Sequence, residues 1–308
     1  MGTGPRGCAR RLRARPAASP ELPITDAVVP VAGLGTRLLP ATRSAPKEML
    51  PVVDKPIVQY VIEELAGAGI ERVLFVTGRR KRAIEDHFDA DPELDRASGT
   101  SAPGGGLRIL YTRQRNPRGL GDALRCADGF SAGGPVVAAL GDAIIEPSPA
   151  GGPGIVARLV DAYVKHGASA ALAVTAVPET AVSKYGIVVA RAGGDQILEV
   201  SDVIEKPDPQ QLASRTAIAA RYVLGPEVFA ALAHAEPGES GEIGLTEALR
   251  DVIAGGGRVI AVPLAAGERR HDIGTVEGYC QAFLEHALRH PQLGGPLRAQ
   301  AARLIDGG

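Results

Sequence analysis

Tryptophan is absent from this sequence, and aromatic residues make up only 4% of it. Proteins that bind single-stranded nucleic acid usually stack bases on aromatic side chains, and this chain has few to offer. Its three cysteines, Cys8, Cys126 and Cys280, lie far apart and form no CxxC pair, so they indicate neither a disulfide framework nor a zinc site. We therefore expect reduced cysteines and no nucleic-acid partner.

Long apolar runs are also missing. No segment approaches the roughly 18 consecutive apolar residues that a membrane-spanning helix requires. The arginines near the N-terminus are not followed by the apolar stretch of a secretory signal. We therefore expect a cytoplasmic protein with no membrane partner.

Lysine is scarce, with six lysines among the 34 basic residues. Five arginines and no acid lie in the first twenty residues, so the rest of the chain is mildly acidic within a net charge of -1. Residues 1–23, rich in Arg, Ala and Pro, are typical of a disordered extension rather than a nucleic-acid surface. Because lysine and arginine are not interchangeable at a phosphate, the few lysines are candidates for specific contacts.

A glycine loop follows the first predicted strand. The apolar run 28–31 leads into Gly33-Leu34-Gly35-Thr36-Arg37, and Lys47 comes ten residues after Arg37, between two prolines. Backbone N–H groups exposed by such a loop suit phosphate oxygens. The loop and its two cations predict a polyphosphate site.

Two other kinds of phosphate-binding loop also contain closely spaced glycines. A Walker A loop requires a lysine directly after a glycine, and the chain has no such pair. A dinucleotide fingerprint requires a third glycine where this chain has Leu38, although Asp54 lies near the distance of the acid that would bind a ribose. The first is excluded, and the second remains a weaker alternative.

The whole stretch resembles the opening of the bacterial sugar-1-phosphate nucleotidylyltransferases, and most closely the UTP:glucose-1-phosphate uridylyltransferase family. The resemblance is carried by the loop Gly33–Pro40 and by Pro46-Lys47-Glu48-Met49-Leu50-Pro51. It implies catalytic roles for Arg37 and Lys47. It also implies a set of nucleotide-binding residues in these two segments: Ala32, Gly33, Leu34, Gly35, Thr36 and Glu48.

Two later segments follow predicted strands. In Gln114 to Gly119, the resemblance places Gln114 and Gly119 against the nucleobase, and an amide can read a pyrimidine edge through its donor and acceptor. Gly141 and Asp142 end the apolar strand 136–140. A carboxylate at the carboxyl end of a buried strand suits Mg²⁺, so Asp142 is predicted to be a catalytic metal ligand, with Gly141 at the nucleotide.

The sugar-phosphate site is implied by two further matches. The resemblance assigns a backbone contact to Gly186, sugar hydroxyls to Glu205 and the phosphate to Lys206, which is the fourth predicted catalytic residue. It also places Asp272 near the metal as a second ligand. The residues themselves leave Asp272 open, since it could instead cap the helix that begins near Thr275.

Strand and helix patterns alternate along the chain, which predicts an α/β fold. The resemblance implies a three-layer α/β/α, glycosyltransferase-A-like architecture with a mostly parallel mixed central sheet. Several short strands in 185–224 predict a small accessory sheet beside it. Residues 24–290 form the predicted transferase domain, with a nucleotide half (24–150) and a sugar-phosphate half (151–290), and residues 291–308 a C-terminal helix.

The resemblance implies transfer of a nucleotidyl group from a nucleoside triphosphate to a sugar 1-phosphate, with Mg²⁺ as cofactor and UTP and glucose 1-phosphate as the leading pair. Three positions depart from the family pattern: Asp122 replaces a His, Gly244 a Gln, and Ala143 an Asp. A relative that uses another base or sugar therefore remains an alternative. A non-catalytic regulatory protein that binds a nucleotide sugar is another. Relatives are often dimers or tetramers, so a homo-oligomer is expected.

Overall fold

The computed structural model describes residues 24–99, 103–191, 197–208, 214–238 and 241–306. The predicted disordered extension, residues 1–23, lies outside this part of the chain. Within the described residues, no helix combines the length and the apolar character that crossing a membrane requires.

The chain alternates between strands and helices, as predicted. The strands are β1 (Asp26–Pro30), β2 (Pro51–Val52), β3 (Lys55–Pro56), β4 (Arg72–Thr77), β5 (Arg108–Arg113), β6 (Val136–Ala139), β7 (Ala143–Glu146), β8 (Ala170–Ala176), β9 (Gly186–Ala190), β10 (Leu198–Glu205), β11 (Thr216–Leu224), β12 (Val259–Pro263) and β13 (Arg269–Asp272). The helices are α1 (Ile57–Gly67), α2 (Arg82–Phe88), α3 (Pro92–Ser98), α4 (Leu120–Arg125), α5 (Ile155–His166), α6 (Pro226–His234), α7 (Leu245–Ala254), α8 (Val276–Arg289) and α9 (Gly294–Asp306).

Nine strands form one central sheet in the order β5-β4-β1-β6-β11-β8-β12-β10-β9. All of them except β10 and β11 run in the same direction. The sheet is therefore mixed and mostly parallel, as predicted. Parallel strands place their carboxyl ends at one edge, where ligands of open α/β sheets bind.

Helices cover both faces of this sheet. Successive residues of a strand point to opposite faces, so Val29 and Phe75 pack on one side while Val28 and Leu74 pack on the other. Helices α1, α2 and α5 contribute to the first core, and α4, α6 and α7 to the second. The predicted three-layer α/β/α architecture is confirmed.

The strands of 185–224 extend the central sheet, so their assignment to a separate accessory sheet was wrong. Strand β11 is buried on both faces and pairs with β6, β8 and β9, which joins the two halves. The pairing register of β11 with β8 shifts between Ile218 and Tyr222, where Ala220 has φ 62°. Such an irregularity bends the strand, so that β11 can pair with different strands along its length. The small separate sheets are instead the pairs β7–β13 and β2–β3.

Candidate active site

The glycine loop and the lysine segment lie together at the end of β1. A single 3₁₀ turn, Thr36–Leu38, carries Arg37, and a second one, Lys47–Met49, carries Lys47. Pro46 sets the entry to the second turn. A Cβ built on Gly33 would lie 3.6 Å from Lys47 Nζ, so the lysine side chain reaches back under the glycine loop.

Two adjoining cavities lie at this edge of the sheet. The smaller, of about 430 Å³, is lined by nearly all the residues predicted to bind nucleotide: Ala32, Gly33, Leu34, Gly35, Thr36, Glu48, Gln114 and Gly119. The larger, of about 1150 Å³, is lined by the predicted sugar-phosphate residues Gly186, Glu205 and Lys206. Arg37 and Asp142 line both cavities. The two predicted subsites therefore meet at an arginine and an aspartate.

Lys47 and Asp142 form an ion pair at this junction. Burial lowers the pKa of Lys47, but the carboxylates of Asp142 and Glu48 together outweigh burial and raise it overall. Burial likewise raises the pKa of Asp142. The charge and hydrogen bond of Lys47, with a backbone hydrogen bond and the charge of Arg270, reverse this, so its pKa lies below the ordinary value. Both groups are therefore charged at neutral pH. A positive lysine suits a bound polyanion, and a negative aspartate suits a bound cation.

Glu48 forms a buried ion pair beside the smaller cavity. Its side chain is 2% exposed and accepts a hydrogen bond of 2.6 Å from Lys81 Nζ. Lys81, at the N-cap of α2, is itself buried. Although Glu48 belongs to the wall of the smaller cavity, its carboxylate is engaged by Lys81. We interpret the pair as a support for the turn that carries Lys47.

Gln114 follows β5 and lies buried beside α4. Its Nε2 donates to Asp122 Oδ2 at 2.7 Å and to the Gly119 carbonyl at 3.2 Å. Arg118 donates to the other Asp122 oxygen at 2.9 Å. Gly119 has φ 94°, and a Cβ there would lie 2.6 Å from the Ile243 carbonyl, so this position requires glycine. The amide of Gln114 is held in one orientation, with its oxygen left as an acceptor.

Gly141 lies on the wall of neither cavity. A Cβ built on it would lie 2.5 Å from Val31 Cγ1, so its glycine allows the end of β6 to pass close to the end of β1. The contact predicted between Gly141 and the nucleotide gains no support from this position. Close packing of the segment that presents Asp142 is the role that its geometry supports.

Arg221 supports the turn that contains Asp142. No sequence motif predicted this role. It is fully buried, donates to the Ala143 carbonyl at 2.9 Å and pairs with Glu64 of α1 at 2.6 Å. It also reaches the Leu140 carbonyl at 3.5 Å. Because these carbonyls flank Asp142, Arg221 fixes the backbone of that turn.

In the larger cavity, Glu205 and Lys206 lie at the end of β10. Thr246 Oγ1 donates to Glu205 Oε2 at 2.9 Å, and Lys206 Nζ is 3.0 Å from Glu205 Oε1. A Cβ on Gly186 would lie 3.3 Å from Glu205 Oε2, so the glycine faces this carboxylate. Lys206 has φ 43°, an uncommon conformation for a residue with a side chain, and such conformations cluster at functional sites.

Asp272 lies directly beside Asp142. In the β7–β13 pair it is opposite Ala143, and the Ile273 N–H donates to the Asp142 carbonyl at 3.2 Å. Its carboxylate accepts from the Gly274 N–H at 3.1 Å, while the cap of α8 is supplied by Thr275. The alternative role of Asp272 as the helix cap is therefore wrong.

Arg270 brings a further cation to the larger cavity. It lies 3.4 Å from Asp272 Oδ2, and its guanidinium carbon is 4.4 Å from the centroid of the Tyr185 ring. Its Nε is buried and, within the described residues, has no hydrogen-bond partner. A buried cation with an unused donor suits an anionic ligand.

Comparison with known proteins agrees with this arrangement. The sequence model of the nucleotidyl transferase family matches residues 26–288. UTP–glucose-1-phosphate uridylyltransferase 2 of Streptococcus pyogenes serotype M3 is 39% identical over 295 residues, which cover 91% of this chain and 96% of that protein. The uridylyltransferase YngB of Bacillus subtilis is 40% identical over 293 residues, covering 92% and 96%.

The chain belongs to the bacterial UTP–glucose-1-phosphate uridylyltransferase family.

Solved structures share its fold. A UTP-bound UDP-glucose pyrophosphorylase of Acinetobacter baumannii superimposes with a TM-score of 0.82 and 32% identity, covering 91% of this chain and 99% of that one. A UDP-glucose pyrophosphorylase complexed with UDP-glucose has a TM-score of 0.77 and 34% identity, covering 85% and 98%. The predicted family and fold class are confirmed.

Within this uridylyltransferase fold, the sequence motifs identified the residues that line the cavities but missed those that support them. Lys81, Arg221 and Thr246 lie 33 residues or more along the chain from the groups they support, and Arg270, two residues from Asp272, lies in a short strand that no motif marks. The scarcity of lysine was the one available signal, and it applied to Lys81 as well as to Lys47.

Proposed function

We propose that this chain transfers the uridylyl group of UTP to glucose 1-phosphate, giving UDP-glucose and pyrophosphate. The observation that carries this proposal is the junction of the two cavities at Arg37 and Asp142. A triphosphate in the smaller cavity and a sugar phosphate in the larger one would bring their reacting phosphates together there.

The reaction needs positioning and charge neutralisation more than proton transfer. An oxygen of the sugar phosphate forms a bond to the α-phosphorus of UTP, and the bond from that phosphorus to the bridging oxygen breaks, so that pyrophosphate carries away the electron pair. The attacking oxygen is already an anion at neutral pH, so a general base is not required. In-line transfer of this kind is accelerated mainly by fixed cations and by proximity.

Arg37 and Lys47 supply the fixed cations on the nucleotide side. Arg37 lies beside the shared junction, and a Cβ on Gly274 would be 3.2 Å from its Nη2. The Lys47 side chain is 16% exposed and is held in place by its ion pair with Asp142. In our proposal both contact the triphosphate. Arg270 and Lys206 would neutralise the sugar phosphate in the larger cavity.

The carboxylates of Asp142 and Asp272 fit a Mg²⁺ ion. Asp142 directly precedes β7 and Asp272 ends the neighbouring strand β13. Both line the larger cavity, and their oxygens are the hard ligands that Mg²⁺ prefers. Bound Mg²⁺ would neutralise charge on the reacting phosphates. Asp142 would then exchange part of its contact with Lys47 for the cation, and Lys47 would be free to contact phosphate.

Selection of the base is assigned to Gln114. Its amide nitrogen is occupied by Asp122 and Gly119, so its oxygen is the group left to meet a base. Uracil presents an N–H donor at the position where cytosine presents an acceptor. In this proposal the fixed amide oxygen favours UTP over CTP.

A second candidate is the same reaction on another base or another sugar. It is favoured by Asp122, which stands where the family pattern has a His and which orients the residue assigned to the base. Homo-oligomerisation and a cytoplasmic location remain proposals as well. The exposed apolar residues of the two C-terminal helices are a surface that a second copy would cover: Val276, Phe283, Leu284, Leu297, Leu304 and Ile305.

The test is pyrophosphate release across a matrix of nucleoside triphosphates and sugar 1-phosphates with Mg²⁺. We expect the fastest release with UTP and glucose 1-phosphate, and a loss of about a hundredfold or more in Asp142→Asn. A matched control is Asp161→Asn on the solvent side of α5, which should retain full activity. Maximal release with another pair would favour the second candidate, and none with any pair would refute transfer.

A further inference from the structure

Three side chains of types that bind metals converge where α8 packs on the β7–β13 pair. They are Glu146 at the end of β7, His271 in β13 and His286 in α8. One ligand atom from each lies within 4.8 Å of the other two. Glu146 Oε1 is 3.3 Å from His271 Nε2 and 3.5 Å from His286 Nε2.

One imidazole nitrogen of this cluster makes no hydrogen bond. His271 is 8% exposed, and its Nε2 has no hydrogen-bond partner within the described residues. His286 Nδ1 lies 2.9 Å from the Ala282 carbonyl, which can only accept, so Nδ1 carries a proton. In the neutral form of His286, Nε2 therefore carries a lone pair, and it lies 3.5 Å from a Glu146 carboxylate oxygen. A cation between these groups would be attracted to both.

Two of the three spacings in the cluster, 3.3 Å and 3.5 Å, match a tetrahedral metal ion. With bonds of about 2.0–2.1 Å, as for Zn²⁺, ligand atoms at the tetrahedral angle lie about 3.3 Å apart. Two imidazoles and one carboxylate form a donor set that zinc adopts, whereas Mg²⁺ prefers oxygen ligands alone. We propose that Glu146, His271 and His286 bind a Zn²⁺ ion, with water as the fourth ligand.

The surroundings of these three side chains support the assignment. The Nδ1–H of His286 is fixed by a backbone carbonyl, which is the usual way in which proteins orient a metal-binding histidine. Arg289 Nη1 donates to Glu146 Oε2 at 2.9 Å and lies 3.3 Å from Oε1. It therefore orients the carboxylate with Oε1 toward the two rings.

The zinc site is distinct from the proposed Mg²⁺ site but lies behind it. His271 precedes Asp272 in β13, so the two side chains point to opposite faces of the strand. Strand β7 begins directly after Asp142. Zinc would link β7, β13 and α8, the elements that position Asp142 and Asp272. Its role would be structural, which goes beyond the proposed transfer reaction.

The test measures metal binding by the full chain without using activity. The purified protein is stripped with a chelator, dialysed against Zn²⁺ or Co²⁺, and assayed for bound metal and for the visible absorption of tetrahedral Co²⁺. We expect about one ion per chain, a tetrahedral cobalt spectrum, and a higher thermal unfolding temperature with Zn²⁺. Affinity should fall at least tenfold in His271→Phe, in His286→Ala and in Glu146→Gln, which keeps the shape of the side chain.

Two control variants test whether zinc is bound by this cluster and not elsewhere. His87→Ala removes a histidine of α2 outside the cluster and should bind zinc normally. Asp272→Asn alters the proposed Mg²⁺ site and should also retain zinc. A folded wild-type chain that binds no zinc or cobalt would overturn the proposal, as would binding that survives in the cluster variants and disappears in Asp272→Asn. Failure of the transferase proposal would leave these results unaffected.

Discussion

At the scale of single residues, the ion pair between Lys47 and Asp142 determines the character of the site. Each charge offsets the cost of burying the other, and substrates and a cation would replace these contacts with similar ones. Both residues could be predicted from the sequence, because each lies in a compact motif. Their direct contact could not be predicted, since 95 residues separate them and only the fold brings them together.

The lowered pKa of Asp142 predicts a loss of stability in acid. Its folded pKa lies below the ordinary value of 3.8, so the pair stabilises the protein fully above the unfolded pKa and less as pH falls through the folded one. The difference in unfolding free energy between wild type and Asp142→Asn should therefore shrink below about pH 4. Urea unfolding at several pH values measures it.

Lys47→Met serves as the partner control in this experiment. Without the lysine, Asp142 loses the contact that lowers its pKa, so this acid-dependent contribution should disappear. A difference between wild type and Asp142→Asn that is the same from pH 3 to pH 7 would show that the ion pair does not lower the pKa in the folded protein.

Asp122 allows a test of how this chain selects the base of the nucleotide. We expect Asp122→Ala to release the Gln114 amide and to reduce the preference for UTP over CTP by about tenfold, the value of one hydrogen bond. Asp122→Asn retains an acceptor for Gln114 Nε2 and should restore the preference. Steady-state kcat/KM for both nucleotides gives the ratio, and an unchanged ratio in Asp122→Ala would remove Asp122 from base selection.

At the scale of elements, the buried pair of Glu48 and Lys81 connects the turn bearing Lys47 to the start of α2. Removing one partner leaves an uncompensated buried charge, so Glu48→Gln or Lys81→Met should lower the free energy of unfolding by about 3–5 kcal/mol. Replacing both with apolar residues of similar size, as in Glu48→Leu with Lys81→Met, should recover most of the lost free energy of unfolding. Denaturant unfolding tests this, and additive losses in the double variant would contradict it.

Element prediction worked where the sequence has a strong period or a clear boundary. The patterns of residues 155–166 and 259–263 predict helix α5 and strand β12, because an αL glycine ends the first and a continuous buried apolar run forms the second. The sequence pattern did not predict the short strands. Strands β7 and β13 have four residues each, too few to show a period, and they are stabilised by pairing with each other. The same pair holds Asp272 and two of the three proposed zinc ligands, Glu146 and His271.

At the scale of the whole molecule, one continuous sheet carries both cavities. The predicted division at residue 150 marks no break in that sheet, since β11 joins β6 to β8 and β9. The alternation of strands and helices predicted an α/β fold, and the resemblance to the family implied its three layers. Sequence patterns could not give the strand order, because pairing depends on contacts between segments far apart in the chain. The division into two halves stays a prediction.

The central claim is that the bond to the α-phosphorus of UTP is exchanged. The most direct measurement follows the label from UTP labelled either at the α- or at the γ-phosphorus, incubated with glucose 1-phosphate and Mg²⁺. The account predicts α-label in UDP-glucose and γ-label in pyrophosphate, with neither in Asp142→Asn. Label from the γ-position in a sugar product, or the release of labelled inorganic phosphate alone, would contradict it.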